Sequence, residues 1–232
     1  MKLSMIIPVY NELSTIEELL NRVRAADLST PEVPVEKEII VVEDCSKDGT
    51  RELLARINPP DIKIVYHARN QGKGAAIRTG LAHATGEYVI IQDADLEYDP
   101  REIPALLAPI AAGEATTVYG SRFLGQIRAM TFTQWVGNRL LTFITNTLYR
   151  TYLTDMETCY KLMPANVVKS FRLRANYFDF EPEVTAKLLK QGQTILELPI
   201  TYTAREADEG KKISWRDGLP ALWSLVKYRF VD

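Results

Sequence analysis

The strongest constraint in this sequence is a short apolar run that ends in polar residues, leads into a helix-like repeat, and then recurs. Leu3 to Val9 is almost continuously apolar, as a parallel strand covered on both faces should be. Asn11 then offers an N-cap, and Ile16, Leu19, Leu20 and Val23 repeat at helical spacing. Ile39 to Val42 is the next run. It stops at Glu43-Asp44, and the polar turn Ser46-Lys47-Asp48-Gly49-Thr50 leads to a helix marked by Leu53, Leu54 and Ile57. Ile62 to Tyr66 reads as a third strand, Ala75 to Ala84 as a third helix, Tyr88 to Gln92 as a fourth strand, and Thr116 to Tyr119 as a fifth. This alternation predicts an α/β fold with a mostly parallel sheet flanked by helices and a ligand crevice at the carboxyl ends of the strands. Glu43-Asp44, Asn70 to Gly74, Asp93 to Glu97 and Gly120-Ser121-Arg122 fall at four of those ends.

Beyond residue 124 the alternation loosens into two long helical patterns, Thr131 to Arg150 and Glu181 to Gln191, followed by a strand near Thr194 to Tyr202. The expected organisation is one catalytic domain in two halves, 1–123 binding the donor and 124–232 forming a helical and mixed acceptor side. With 28 Lys+Arg against 30 Asp+Glu, the net charge of −2 excludes a nucleic-acid binder that works by bulk charge. The longest stretch free of charged residues, between Glu102 and Glu114, falls well short of the ~18 to 20 residues a membrane span needs. Two cysteines, Cys45 and Cys159, and two histidines, His67 and His83, give neither a disulfide framework nor a zinc spacing; the cysteines are expected as small packing residues and the histidines at surface or helix-packed positions. A reducing cytoplasm is the expected location, with a peripheral position at the membrane face as the alternative. The basis for the membrane alternative is Ile213 to Phe230, where Trp215, Leu219, Leu222, Trp223, Val226, Tyr228 and Phe230 interleave with Arg216, Lys227 and Arg229. Such a segment fits a membrane interface or a cover over the core.

Asp93-Ala94-Asp95 places two carboxylates at the mouth of a buried strand, and side chains at i and i+2 of an extended segment point the same way. Glu97 continues the series, so three oxygen ligands are expected for Mg²⁺ or Mn²⁺ serving a diphosphate. Asn70-Gln71-Gly72-Lys73-Gly74 opens a helix, where backbone N–H groups and Lys73 favour an anion, although the spacing is neither a P-loop nor a dinucleotide fingerprint. Glu43 and Asp44 can accept hydrogen bonds from base or ribose donors, or cap the following helix.

Ile7-Pro8-Val9-Tyr10-Asn11-Glu12, Val41 to Thr50, Asn70 to Gly74, Asp93-Ala94-Asp95 and Gly120-Ser121-Arg122 occur in the order found in the family 2 inverting glycosyltransferases of GT-A fold, which this chain resembles. Its second half is similar to the polyprenyl (dolichyl) phosphate mannose synthases through Asp155 to Lys161, Phe180-Glu181, Arg205 and Glu209-Gly210-Lys211. The resemblance implies a sugar of mannose or glucose type moving from a GDP- or UDP-linked donor to a polyprenyl phosphate. It places Pro8, Tyr10, Glu12, Glu43 and Asp44 at nucleotide-contacting positions, and Asp93, Asp95 and Glu97 at the metal. Arg122, Arg205 and Lys211 fall at positions holding donor diphosphate or acceptor phosphate. Where the mannose synthases carry an arginine and a serine, Gln134 and Asn138 stand here.

A phosphate acceptor is already anionic near neutral pH and needs no strong base. Transfer to a saccharide or other hydroxyl would need one, with Asp155, Glu157 or Glu181 as candidates; a catalytically silent nucleotide-sugar-binding module is the other alternative. Arg122 and Arg139 are expected to meet the acceptor phosphate, and Trp135, Phe143, Trp215 and Trp223 its tail. The charged segment Ala204 to Lys212 is expected to close over the diphosphate.

Overall fold

A computed structural model describes residues 1–30, 33–205 and 218–231. Four strands alternate with three helices as the apolar pattern dictates: β1 (Lys2–Val9), α1 (Ile16–Ala25), β2 (Glu36–Glu43), α2 (Thr50–Ile57), β3 (Ile62–Tyr66), α3 (Lys73–His83) and β4 (Tyr88–Ile91). β1 lies between β2 and β4, and β3 flanks β2, all in parallel register. The buried side chains are mainly aliphatic: Leu3, Met5, Ile6, Ile7, Ile40, Val41, Val42, Val89 and Ile90 are all fully buried. Each fully buried aliphatic side chain contributes on the order of 1.5–3 kcal/mol, so this half holds most of the cohesion.

The chain continues through a turn of 3-10 helix at Pro100–Glu102 into α4 (Ile103–Ala111), then β5 (Thr117–Arg128), α5 (Phe132–Tyr149), β6 (Lys161–Pro164), α6 (Ala165–Ser170), α7 (Phe180–Lys190), β7 (Ile195–Thr203) and α8 (Gly218–Phe230). The seven strands form one sheet in the order β3-β2-β1-β4-β6-β5-β7. β6 runs antiparallel to both neighbours, and β5 pairs in parallel with β7. Residues from both sides of position 124 therefore share a sheet.

Three differences from the sequence reading have physical causes. The uncharged stretch after Glu102 forms α4, which buries Ile103, Leu106 and Leu107 but carries Pro104, Ala105 and Ala108 on its more open side, so no polar face marks it. β6 is a four-residue strand begun by Lys161, too short to carry a period. Gly120-Ser121-Arg122 lies inside β5, not after it, because β7 continues to pair beyond a bulge, with Gln126 to Arg128 opposite Thr201 to Thr203.

α5 buries only Thr142 and Thr145 along its length and exposes Phe132, Trp135, Val136, Leu140 and Phe143. It packs against α8, where the Tyr149 hydroxyl donates to the Leu225 carbonyl at 2.7 Å. A small second core of Leu153, Met156 and Leu225 lies beneath them.

Candidate functional site

The carboxyl ends of β1, β2 and β4 open into a cavity of about 970 Å³ that extends to α5 and α8. At these ends the chain turns through left-handed residues that are not glycine, Asn11 (φ 51°), Cys45 (φ 61°) and Leu96 (φ 64°). Backbone conformations of this cost collect where function over-determines them. Pro8, Tyr10, Glu12, Asp44, Gly72, Lys73, Asp93, Asp95, Glu97, Arg122 and Arg205, all singled out from sequence, line the cavity. Glu43 does not. Its carboxylate is fully buried behind the turn, accepting from the Ser46 amide at 2.5 Å and pairing with Arg51 at 3.0 Å, so it fixes the turn that presents Asp44.

The anion expected at the start of α3 is supplied by the protein itself. Asp44 accepts the amides of Gln71 at 2.9 Å and Gly72 at 2.7 Å. His67, buried between Asp44 (2.6 Å) and the Thr79 hydroxyl (2.9 Å), completes the arrangement. Gly72, at φ +93°, has no room for a side chain, since a Cβ there would meet the Asn176 carbonyl at 2.3 Å. Lys73 bridges two elements, with Nζ 2.8 Å from Asp93 and 2.9 Å from Glu181. Burial works against its charge, but Asp93 and then Glu181 outweigh it and hold the ammonium well above its ordinary pKa.

Asp93, Asp95 and Glu97 do not converge as the i, i+2 argument expects. The left-handed Leu96 breaks the extended geometry after Asp95. Glu97 instead accepts from the Tyr202 hydroxyl at 2.7 Å and the Arg205 amide at 2.8 Å, tying this loop to β7. Among the described residues no three His, Cys, Asp or Glu side chains are grouped to hold a metal ion. Asp93 and Asp95 remain as a hard-oxygen pair suited to Mg²⁺ or Mn²⁺. Burial, followed by the charges of Asp93 and Glu97, raises the Asp95 carboxyl to about 7, and a cation is the group that such surplus negative charge favours. The Arg205 guanidinium lies at these carboxylates, 3.0 Å from Glu12 and 3.1 Å from Asp95.

Arg122 is held on Asp155 by two hydrogen bonds of 2.7 and 2.8 Å, both side chains being buried, and extends toward Asn138 at 3.4 Å. Asp155 is therefore committed to a structural pair. Gln134 and Asn138 line the cavity, with Gln134 also closing a capping box with Thr131. Arg139 is exposed outside it, donating to the Thr154 carbonyl at 3.4 Å and lying over Phe123. Lys211, Trp215, Arg216 and most of the segment expected to close over the site lie outside the described residues.

Sequence reading named Glu157 as a candidate base and Asp155 to Lys161 as part of the resemblance, but missed the bonds that fix this loop. Lys161, fully buried, donates to the carbonyls of Met156 (2.7 Å) and Thr158 on either side of Glu157. The Met156 amide donates to Thr142, and the Thr158 hydroxyl donates to the Gly120 carbonyl at 2.5 Å. Glu157 lines the cavity with one carboxylate oxygen buried and unpartnered, and so does Glu181. Burial and then the Glu181 charge push the Glu157 carboxyl up to about 8. Cys159 is buried in the same wall, where burial raises its thiol, so it packs as a small apolar group.

A nucleotide-type α/β sheet whose strand ends carry carboxylates, beside arginines and a lysine, defines a glycosyltransferase of the GT-A kind. Residues 4–171 match Glycosyl transferase family 2, and the chain belongs to that family. It is 30% identical to the dodecaprenyl-phosphate galacturonate synthase of Rhizobium johnstonii over 89% of this chain and 60% of that one. It is 28% identical to the undecaprenyl-phosphate mannosyltransferase of Micrococcus luteus over 99% of both. The chain thus spans less than two thirds of the length of the first relative. A Mycobacterium tuberculosis glucosyl-3-phosphoglycerate synthase structure superposes with a TM-score of 0.73 at 18% identity, over all of this chain and 80% of that one; at that identity the likeness concerns the fold.

Proposed function

We propose that this chain transfers a hexose from a nucleoside-diphosphate donor to a polyprenyl phosphate, with Mg²⁺ or Mn²⁺ at Asp93 and Asp95. The observation that carries the reading is the two-ended cavity. One end is lined by Pro8, Tyr10, Glu12 and Asp44; the other, between α5 and α8, by Met130, Leu140, Leu141, Ile144, Leu219 and Leu222. Outside the cavity, Phe132, Trp135 and Phe143 share the opposite face of α5 at helical spacing, and together with Leu219 and Trp223 of α8 they are large exposed apolar side chains. A polar donor and a long hydrocarbon acceptor suit the two ends. The names of the Rhizobium and Micrococcus relatives, both polyprenyl-phosphate sugar enzymes, support the acceptor class. The Mycobacterium structure, which holds Mn²⁺ and UDP-glucose, supports the donor class.

In this reading Tyr10, Glu12 and Asp44 position the nucleoside. A bound divalent cation would offset the negative charge that grows on the departing diphosphate. Arg205 and Lys73 add fixed positive charge at the same place, and fixed charge lowers the barrier because it needs no reorganisation as the bond breaks. The acceptor phosphate attacks without a protein base, and the Arg122 side of the cavity faces it. The exposed apolar face of α5 and α8 lies against the bilayer in which the prenyl tail stays; among the described residues no helix is long and apolar enough to cross it. A hydroxyl acceptor is a second reading, favoured by Glu157, whose carboxyl near 8 suits a general base.

The test supplies donor, Mn²⁺ and either a long-chain polyprenyl phosphate or the matching alcohol. Strong preference for the phosphate is expected. Equal use of the alcohol, or efficient transfer to a soluble saccharide, would replace this reading with the second. Binding of nucleotide-sugar without turnover of any acceptor would make the chain a binding module.

A further inference from the structure

Glu157 and Glu181 are carboxylates in the cavity wall, each with an oxygen that no described group satisfies, although native proteins rarely bury polar atoms unpaired. Their place relative to the donor follows from Lys73, whose ammonium joins Asp93 to Glu181. Glu181 is therefore one side chain away from the carboxylate assigned to the diphosphate. The glycosyl group, bonded to that diphosphate and directed toward the acceptor end, meets this wall first.

Cations near the wall are already engaged. Lys73 lies between Asp93 and Glu181, Arg122 is held on Asp155, and Lys161 is spent on the carbonyls flanking Glu157. Those carbonyl bonds, with the Thr142 and Gly120 contacts, fix the Glu157 loop before any ligand arrives. Such a wall offers acceptors to sugar hydroxyls, which donate. Among the described residues it offers no uncommitted cation to a sugar carboxylate, whose charge would be set beside Glu181 and, above about pH 8, beside an ionised Glu157 as well.

We propose that Glu157 and Glu181 form the subsite for the transferred sugar and select an uncharged hexose over the corresponding uronic acid by like-charge exclusion. This rests on the donor reading above. It separates this chain from its Rhizobium relative, whose name specifies a galacturonate, and it assigns Glu157 and Glu181 roles in specificity.

The experiment measures binding by calorimetry with Mn²⁺ at pH 8.5, using donor pairs that differ only at C6: UDP-glucose and UDP-glucuronate, UDP-galactose and UDP-galacturonate, GDP-mannose and GDP-mannuronate. UDP and GDP alone serve as references. In the best-bound pair the neutral sugar is expected to bind at least tenfold tighter, and Glu157→Gln should narrow that gap at least threefold, mainly by improving uronate binding. A uronate bound as well as or better than its neutral partner overturns the proposal. So does an unchanged gap in Glu157→Gln, or in Glu181→Gln should the first variant not fold. If neither UDP nor GDP binds, the donor reading itself fails and takes this proposal with it; if either binds and the uronate wins, only the sugar assignment fails.

Discussion

The donor end and the acceptor end of the cavity are built on opposite principles. Around β1 to β4 nearly every polar group is engaged: Asp44 by three donors, Lys73 by two carboxylates, Arg205 by Glu12 and Asp95. The walls there are fully buried aliphatic strands. At α5 and α8 the helices bury little, rest on a small second core and turn large apolar side chains outward. A nucleotide needs fixed hydrogen bonds at defined positions, so its site is stiff; a hydrocarbon chain needs area without direction, so its site tolerates loose packing. Mutations should therefore cost stability or chemistry at the first end and affinity alone at the second.

The largest effect is expected where the two ends meet. Arg122→Ala strands the buried Asp155 carboxylate, and breaking such a pair costs about 3–5 kcal/mol. Urea unfolding of Arg122→Ala beside the Arg122→Ala/Asp155→Ala double variant checks this; the double variant should recover part of the loss. A single variant as stable as the parent would place Arg122 on the tolerant side of the comparison.

Asp95→Asn should lower transfer by about 100-fold, equivalent to ~2.7 kcal/mol in the barrier, while the melting temperature holds or rises because a buried negative charge is removed. Unchanged activity at saturating Mn²⁺ would remove Asp95 from the cation site.

Phe143→Ser and Trp223→Ser change exposed side chains, so stability should move by no more than ~0.5 kcal/mol. Transfer to a long-chain prenyl phosphate should fall several-fold together with vesicle flotation, while transfer to a short-chain analogue stays level. Loss on both acceptors alike would mean that these helices shape the donor end too.

The smallest effect is in pH. Glu157 titrates at about 8 in the folded chain against an ordinary 4.5. Below the ordinary value both states hold the proton. As pH rises from there to about 8, the unfolded chain has released it while the folded chain has not, so folding stability declines. Glu157→Gln should make the fall in urea midpoint between pH 5 and pH 8.5 shallower. Identical slopes would exclude Glu157 as a contributor.

How much of this was legible in advance follows the same division. β1 to β4 and the positions of Asp44, Asp93 and Asp95 were readable because buried parallel strands give unbroken apolar runs, and polar residues interrupt them where the sheet ends. α4 was hidden because its open side is made of Pro104, Ala105 and Ala108, not of polar residues. Glu157 was readable as a candidate base, but the rigidity of its loop was hidden because it comes from Lys161, Thr142 and Gly120, which hold it through backbone carbonyls and amides, and nothing in a linear pattern announces such bonds.

The sequence by itself determined the α/β alternation, the family and the set of charged residues at the strand ends, since these depend on local periodicity and motif order. Tertiary structure alone decided how those charges are used. Glu97 was turned to β7 by a left-handed Leu96, Glu43 was withdrawn behind its turn, Asp44 became the anion at α3, and Glu157 was set beside Glu181. The reason is that a carboxylate's role is set by its nearest partners in space, and those partners come from elements brought together only when the sheet closes: Arg205 reaches Glu12 from 193 positions along the chain.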